Sequence, residues 1–215
     1  MNKAVIFDMD GVIFDSERAY IECDKIVAEK YGLPNIEEVA HRCIGTTTER
    51  TKQILKEYYG EDVPVEALFE EATLLFREKY KETGIPVKDG VRELLSWLKE
   101  NRIPTALASS TLTKVVKQEL TVVGLIDYFD VIIGGDMVTR SKPAPDIFLK
   151  AIETLGKTPE DCMIIEDSFN GIRAAHAAGS HPIMVPDILQ PDGEIRTLAE
   201  NVFPSLHEVL EYFKK

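Results

Sequence analysis

Two aspartates one residue apart, Asp8 and Asp10, stand directly after the apolar run Ala4-Val5-Ile6-Phe7 and before Gly11. Further polar signals fall in comparable places: Ser109 after a run ending at Ala108, Lys142 in the loop after Val131-Ile132-Ile133, and Glu166-Asp167 closing Cys162-Met163-Ile164-Ile165. Singly, each has an ordinary reading, since Asp and Ser cap helices and Lys usually sits in solvent. Gathered at one edge of one sheet, they imply more. Carboxylates brought together repel, and a divalent cation relieves them most economically. Oxygen ligands of this type suit magnesium, which keeps waters and a substrate phosphate in its shell. Beside such a metal, one aspartate can attack phosphorus while the other manages the proton. A lysine and a hydroxyl then hold the phosphoryl oxygens through the transition state. Backbone N–H groups after Asp8, and at a helix starting near Ser110, add donors.

The elements that must position these groups read as an α/β chain. Ala4–Phe7 fits a strand buried on both faces. Ser16 to Gly84 is helical throughout: Tyr20, Cys23, Val27 and Tyr31 repeat at helical spacing, as do Leu68, Ala72, Leu75 and Tyr80, with turns at Gly32-Leu33-Pro34 and Gly60. Such a stretch is too long for a crossover helix and predicts a separate bundle. From Asp89 onward helix and strand alternate. The spacing predicts helices around Val91–Leu98, Val115–Leu120, Asp146–Leu155, Gly171–Ala178 and Leu206–Phe213, and strands over Pro104–Ala108, Val131–Ile133, Cys162–Ile165 and Pro182–Val185. The expectation is a Rossmann-like, mostly parallel sheet covered by helices, with a helical-bundle cap inserted after the first strand. The core would span residues 1–14 and 89–215 and the cap residues 15–88. Ligands of such a sheet sit outside the carboxyl ends of its strands.

A chain of 215 residues with 44% in the hydrophobic class can bury a large core and still build a small second domain. Its net charge of -12 and the absence of a basic block exclude nucleic acid as the natural partner, and point to a small phosphorylated metabolite bound with a cation. No stretch reaches the length of apolar residues a membrane span needs, and the first residues lack the pattern of a secretory signal. Cys23, Cys43 and Cys162 form no metal-ligand spacing and read as thiols in a reducing compartment, the cytoplasm.

The motifs together resemble the haloacid dehalogenase superfamily, in the branch whose helical cap follows the first strand. The first motif stands as Asp8-Met9-Asp10-Gly11-Val12 and the second as Ser109 in Ala108-Ser109-Ser110. The lysine motif stands as Ser141-Lys142-Pro143-Ala144-Pro145-Asp146, and the acidic motif as Ile165-Glu166-Asp167-Ser168, followed by Asn170-Gly171. The resemblance implies a magnesium-dependent phosphatase with Asp8 as nucleophile and Asp10 as the group that protonates the leaving oxygen and then activates water. It implies Asp8, Asp167 and the Asp10 carbonyl as metal ligands, with Glu166 behind them or acting through water. Ser109, Ser110 and Lys142 would bind the phosphoryl group, the bond before Pro143 is often cis in this family, and Asn170 either positions the loop or simply starts a helix beside Gly171.

Substrate choice falls to the insert. Ser16, Glu17 and Tyr20 open it, although Ser16 also suits a helix cap with Glu17 in the first turn. Thr47 and Arg50, in Gly45-Thr46-Thr47-Thr48-Glu49-Arg50, form a second candidate patch. The layout is similar to that of beta-phosphoglucomutase, but Tyr20 stands where that family carries a cap histidine, and Thr48 where it carries the arginine that grips a distal phosphate. Hydrolysis is therefore favoured over phosphosugar mutation, and a catalytically silent binding protein is the alternative of another class.

Overall fold

The computed structural model describes residues 3–44 and 48–215, and the chain divides into two compact units. One comprises Met1–Asp15 and Pro86–Lys215, the other Ser16–Ile85.

The first unit is built on six strands: β1 (Ala4–Phe7), β2 (Thr105–Ala108), β3 (Val131–Ile133), β4 (Cys162–Glu166), β5 (His181–Met184) and β6 (Asn201–Val202). Their order is β3-β2-β1-β4-β5-β6, and every pairing is parallel. Parallel strands buried on both faces need no alternation of polar and apolar residues, and Ala4, Val5, Ile6 and Phe7 are accordingly all buried. The chain leaves β1 toward β2 on one side and returns to β4 on the other, so β1 and β4 flank the point where strand order reverses, where open α/β sheets place ligands. The register aligns Phe7 with Leu107 and Ile165, so Asp8, Ser109 and Glu166 emerge at one edge.

Among the described residues, six α-helices accompany the sheet, numbered along the whole chain as α5 (Val91–Glu100), α6 (Thr113–Val122), α7 (Asp146–Thr154), α8 (Phe169–Ala177), α9 (Gly193–Leu198) and α10 (Leu206–Phe213), with one-turn helices at Ile126–Tyr128, Gly135–Met137 and Pro159–Asp161. Phe148, Ala151 and Ile152 of α7 and Ala174 and Ala175 of α8 close on Ile6, Ala106 and Ile164, which forms the core of one face. The sequence expectation omitted α9 and β6; both are short, and β6 has only two residues with which to show a period. The helix expected near Ser110 begins at Thr113 instead, because the Asp136 carboxylate accepts from both Thr113 N–H (2.6 Å) and Thr113 Oγ1 (2.7 Å) and fixes its first turn there.

The second unit is a four-helix bundle of α1 (Ser16–Lys30), α2 (Ile36–Cys43), α3 (Thr48–Tyr59) and α4 (Val65–Tyr80). Val27, Val39, Leu55, Val65, Leu68 and Ala72 make its core. Tyr20, expected on the apolar stripe of α1, is 39% exposed and stacks on Phe76 with ring centroids 3.8 Å apart. Cys23 and Val27 are buried as expected, and Ala19 takes the buried place beside them. Among the described residues no helix is long and apolar enough to cross a membrane.

Candidate active site

Asp8 leaves β1 at the centre of the sheet with its side chain nearly buried. The next residues turn sharply: Ile13 N–H and Phe14 N–H both donate to the Met9 carbonyl, and Gly11 N–H donates to the Phe14 carbonyl. Gly11 takes φ +76°, and a Cβ there would lie 2.1 Å from Asp167 Oδ2, so only glycine lets this turn approach the acidic loop after β4. That explains the DxDG pattern as a packing requirement as well as a chemical one.

Lys142, from the loop between β3 and α7, is held by two carboxylates. Its Nζ donates to Asp8 Oδ1 and, at 2.7 Å, to Glu166 Oε1, with the Ala108 carbonyl at 3.5 Å. The peptide bond between Lys142 and Pro143 is cis. Burial opposes the ammonium charge, but Asp8 and Glu166 outweigh it and hold Lys142 above the ordinary lysine range.

Glu166 is fully buried, and both of its oxygens are engaged. Oε1 accepts from Lys142, while Oε2 accepts from Asp167 N–H (3.0 Å), Ser168 N–H (2.9 Å) and Ser168 Oγ (2.9 Å). Ser168 in turn caps α8 through Gly171 N–H at 3.0 Å. Gly171 is forced by closeness: a Cβ would overlap the Glu166 carboxyl at 1.8 Å. Glu166 is thus a fixed strut between the lysine and the start of α8.

Asp8, Glu166 and Asp167 each bring a carboxylate oxygen within 4.8 Å of the others. Burial, partly offset by Lys142, and the neighbouring charges of Glu166 and Asp10 push the Asp8 carboxyl up to about 7. Asp167 is raised well above the carboxylate range by burial and then by Glu166, Asp8 and Asp187. A single ammonium does not neutralise two buried carboxylates and the half-buried Asp167, and that residual repulsion is what a divalent cation would remove. The donor set is all oxygen, which fits magnesium.

Ser109 is fully buried at the end of β2; its Oγ accepts from Thr111 N–H (3.1 Å), and Thr111 Oγ1 donates to Asp10 Oδ2 at 3.4 Å. Thr111 was not singled out from the sequence, where a third hydroxyl after two serines carries no spacing signal. Ser110 is exposed. The expected donors at the start of the following helix are partly taken, since Thr113 N–H is bound to Asp136.

Two other groups escaped the sequence reading. Lys88 Nζ donates to Asp187 Oδ1 at 2.7 Å in a largely buried pair, and Asp187 follows β5 at the same sheet edge as the other acids, the rule that would have found it. Glu119 on α6 has a buried Oε2 with no hydrogen-bond partner, and burial followed by the charge of Asp10 pushes it up to about 7. Asn170 Oδ1 accepts from Arg173 Nη1 at 3.2 Å, near the start of α8.

In the helical unit, α1 begins at Ser16 itself, and Ser16 Oγ is buried with no hydrogen-bond partner, so it does not cap the helix. Arg50 pairs with Glu57 at 2.8 Å along α3. Glu17 and Tyr20 line a cavity within the bundle. Thr47 lies outside the described residues.

A parallel sheet with a carboxylate cluster at its switch point and a helical bundle inserted after its first strand is the architecture of an α/β hydrolase. The comparisons make this specific: the haloacid dehalogenase-like hydrolase profile matches residues 5–185, and the chain belongs to that family, in its helical-cap branch. It is 39% identical over 181 residues to a phosphorylated carbohydrates phosphatase of Thermotoga maritima, covering 82% of each chain. It is 30% identical over 224 residues to the beta-phosphoglucomutase of Bacillus subtilis, covering 99% of this chain and 97% of that protein. A crystal structure from Thermotoga maritima, provisionally described as a beta-phosphoglucomutase, superposes with a TM-score of 0.83 at 34% identity, over 99% of this chain and 98% of that one.

Proposed function

We propose that this hydrolase is a magnesium-dependent phosphatase of a small phosphomonoester, a sugar phosphate or similar metabolite, acting through an aspartyl phosphate on Asp8. The observation that supports it most is the buried Asp8 carboxylate bound to Lys142 beside Asp167 and Glu166. That arrangement pairs a nucleophile with a cation able to receive phosphoryl oxygens, within an acidic set that calls for a divalent ion. Asp8 and Asp167 would hold magnesium through their carboxylates and Asp10 through its carbonyl, with Glu166 behind them; when bound, the ion neutralises charge between these groups and the phosphate.

The residues then act in order. An Asp8 oxygen attacks phosphorus and the ester P–O bond breaks, while Asp10 gives its proton to the departing alkoxide. Thr111, bonded to Asp10, orients that carboxyl. Water, deprotonated by Asp10, attacks the acyl phosphate, releasing inorganic phosphate and restoring Asp8. Lys142 and Ser109 hold the phosphoryl oxygens in both steps.

The similarity to beta-phosphoglucomutases along nearly the whole chain gives mutation of a phosphosugar as the second reading. Against it, Arg50 is paired with Glu57, and the cap cavity carries no basic side chain among its lining residues with which to grip a distal phosphate. The test is a panel of sugar phosphates, polyol phosphates, nucleoside monophosphates and phosphoglycolate with magnesium, following both free phosphate and isomerised sugar, with Asp8→Asn as the blank. Phosphate release that needs metal and Asp8 supports the proposal; isomerised product without free phosphate selects the mutase, and silence in both channels favours the binding-only alternative.

A further inference from the structure

The helical unit encloses a cavity of about 240 Å³, below the range of roughly 300–1,000 Å³ typical of ligand pockets and therefore suited to a small group. Val27, Leu55 and Leu68 give it a hydrocarbon wall, and Tyr20 and Phe69 line it as well. Asp24 of α1 is the exception. Its carboxyl has no hydrogen bond or ion pair among the described residues, although it is largely withdrawn from water, and that burial pushes it up to about 6. Buried polar groups are normally paired, and an unpaired carboxylate is costly. Glu17 adds a second acidic side chain, and no lysine, arginine or histidine lines the space among the described residues. Among the described residues, the lining thus supplies the acceptor and two aromatic side chains but no basic side chain.

We propose that this cavity binds a small non-anionic group presenting N–H or O–H donors to Asp24, an ammonium most favourably. Charge-assisted hydrogen bonds are about twice as strong as neutral ones, and an ammonium also gains from the aromatic faces of Tyr20 and Phe69. A carboxylate or second phosphate would meet Asp24 and Glu17 with like charge and is rejected.

The test on the full chain uses phosphate-free probes of equal length, 4-amino-1-butanol, 1,4-butanediol and 4-hydroxybutanoate, titrated into isotope-labelled protein and followed by amide chemical shifts. The amine binds tightest, with shifts centred on Asp24, Val27 and Leu55; the diol binds more weakly and the carboxylate does not. Asp24→Asn, which is isosteric and relieves a burial cost, weakens the amine at least about tenfold and leaves the diol little changed. Amine binding that is absent, or undiminished in Asp24→Asn, overturns the proposal.

Discussion

Replacing Lys142 by methionine removes a buried cation while keeping most of the volume of its stem. The ammonium sits between Asp8 and Glu166, whose side chains are 10% and 0% exposed, so the variant leaves two buried carboxylates beside Asp167 without their counter-charge. Removing one partner of a buried ion pair costs about 3–5 kcal/mol, which for a chain of this size lowers Tm by roughly 10 °C. The deficit depends on pH. Asp8 titrates near 7 with Lys142 present, and losing the lysine raises it further. At pH 5 Asp8 takes up a proton in the folded variant and escapes part of the repulsion, whereas at pH 8 that escape costs more. Thermal melts of wild type and variant at pH 5 and pH 8, each with EDTA or with magnesium, read this directly. The fall in Tm is largest at pH 8 in EDTA, and magnesium restores more to the variant than to the wild type, because the cation takes over charge that Lys142 no longer balances. A fall of less than about 2 °C at pH 8, or an equal magnesium effect on both proteins, would refute the account of the site as an under-neutralised acidic cluster.

Asp24→Asn should change stability once the pH rises above the ordinary carboxylate value, because burial penalises the ionised carboxyl of the native protein. Both states are protonated below pH 3.8, so nothing changes there; as pH rises past about 6 the wild type carries the full burial cost, and the variant becomes about 1–2 kcal/mol more stable by urea unfolding at pH 8, after discounting for partial solvent access. Gly171→Ala drives a methyl into the Glu166 carboxyl; a loss of about 1–3 kcal/mol accompanied by a disproportionate loss of turnover is expected, and retained turnover would show that Glu166 does not position Lys142. Asp8→Asn lowers phosphate release by about 10³-fold or more while the far-UV circular dichroism spectrum is unchanged. Chelation with EDTA abolishes phosphate release, and added magnesium restores it; full activity in EDTA would remove the metal from the proposal.

The fold class was legible because parallel, doubly buried strands announce themselves as short apolar runs such as Ala4–Phe7 and Cys162–Ile165, each stopped by acids. The rule that ligands gather at carboxyl ends of strands then selected Asp8, Ser109 and Glu166, and the register does bring them to one edge. Other features lay beyond any local pattern. Asp136 shifts the start of α6 from a position 23 residues away, and Lys88 meets Asp187 across 99 residues. The stripe expected on α1 holds at Cys23 and Val27, but at its N-terminal end Ala19 rather than Tyr20 is buried, since residues three and four positions before Cys23 lie on the same helical face. Asp24 carries no motif at all; its solitude follows from the absence of a basic neighbour in three dimensions.

The polypeptide departs from the core and returns to it through segments that bond to one another. Lys88 N–H donates to the Ile13 carbonyl at 2.9 Å, Asp15 N–H donates to the Pro86 carbonyl at 2.8 Å, and Phe14 bridges to Val87. To the folding core, everything from Ser16 to Ile85 is therefore topologically a hairpin loop whose mouth is already stitched shut. Because the entropic cost of closing a loop grows only with the logarithm of its length, the inserted bundle can be lengthened, replaced or exchanged at little cost to the sheet. The architecture thereby separates two evolutionary clocks: the acidic edge can stay still while the inserted bundle varies, and a graft of a different bundle between Asp15 and Pro86 should yield a folded protein more readily than any change of comparable size elsewhere in the chain.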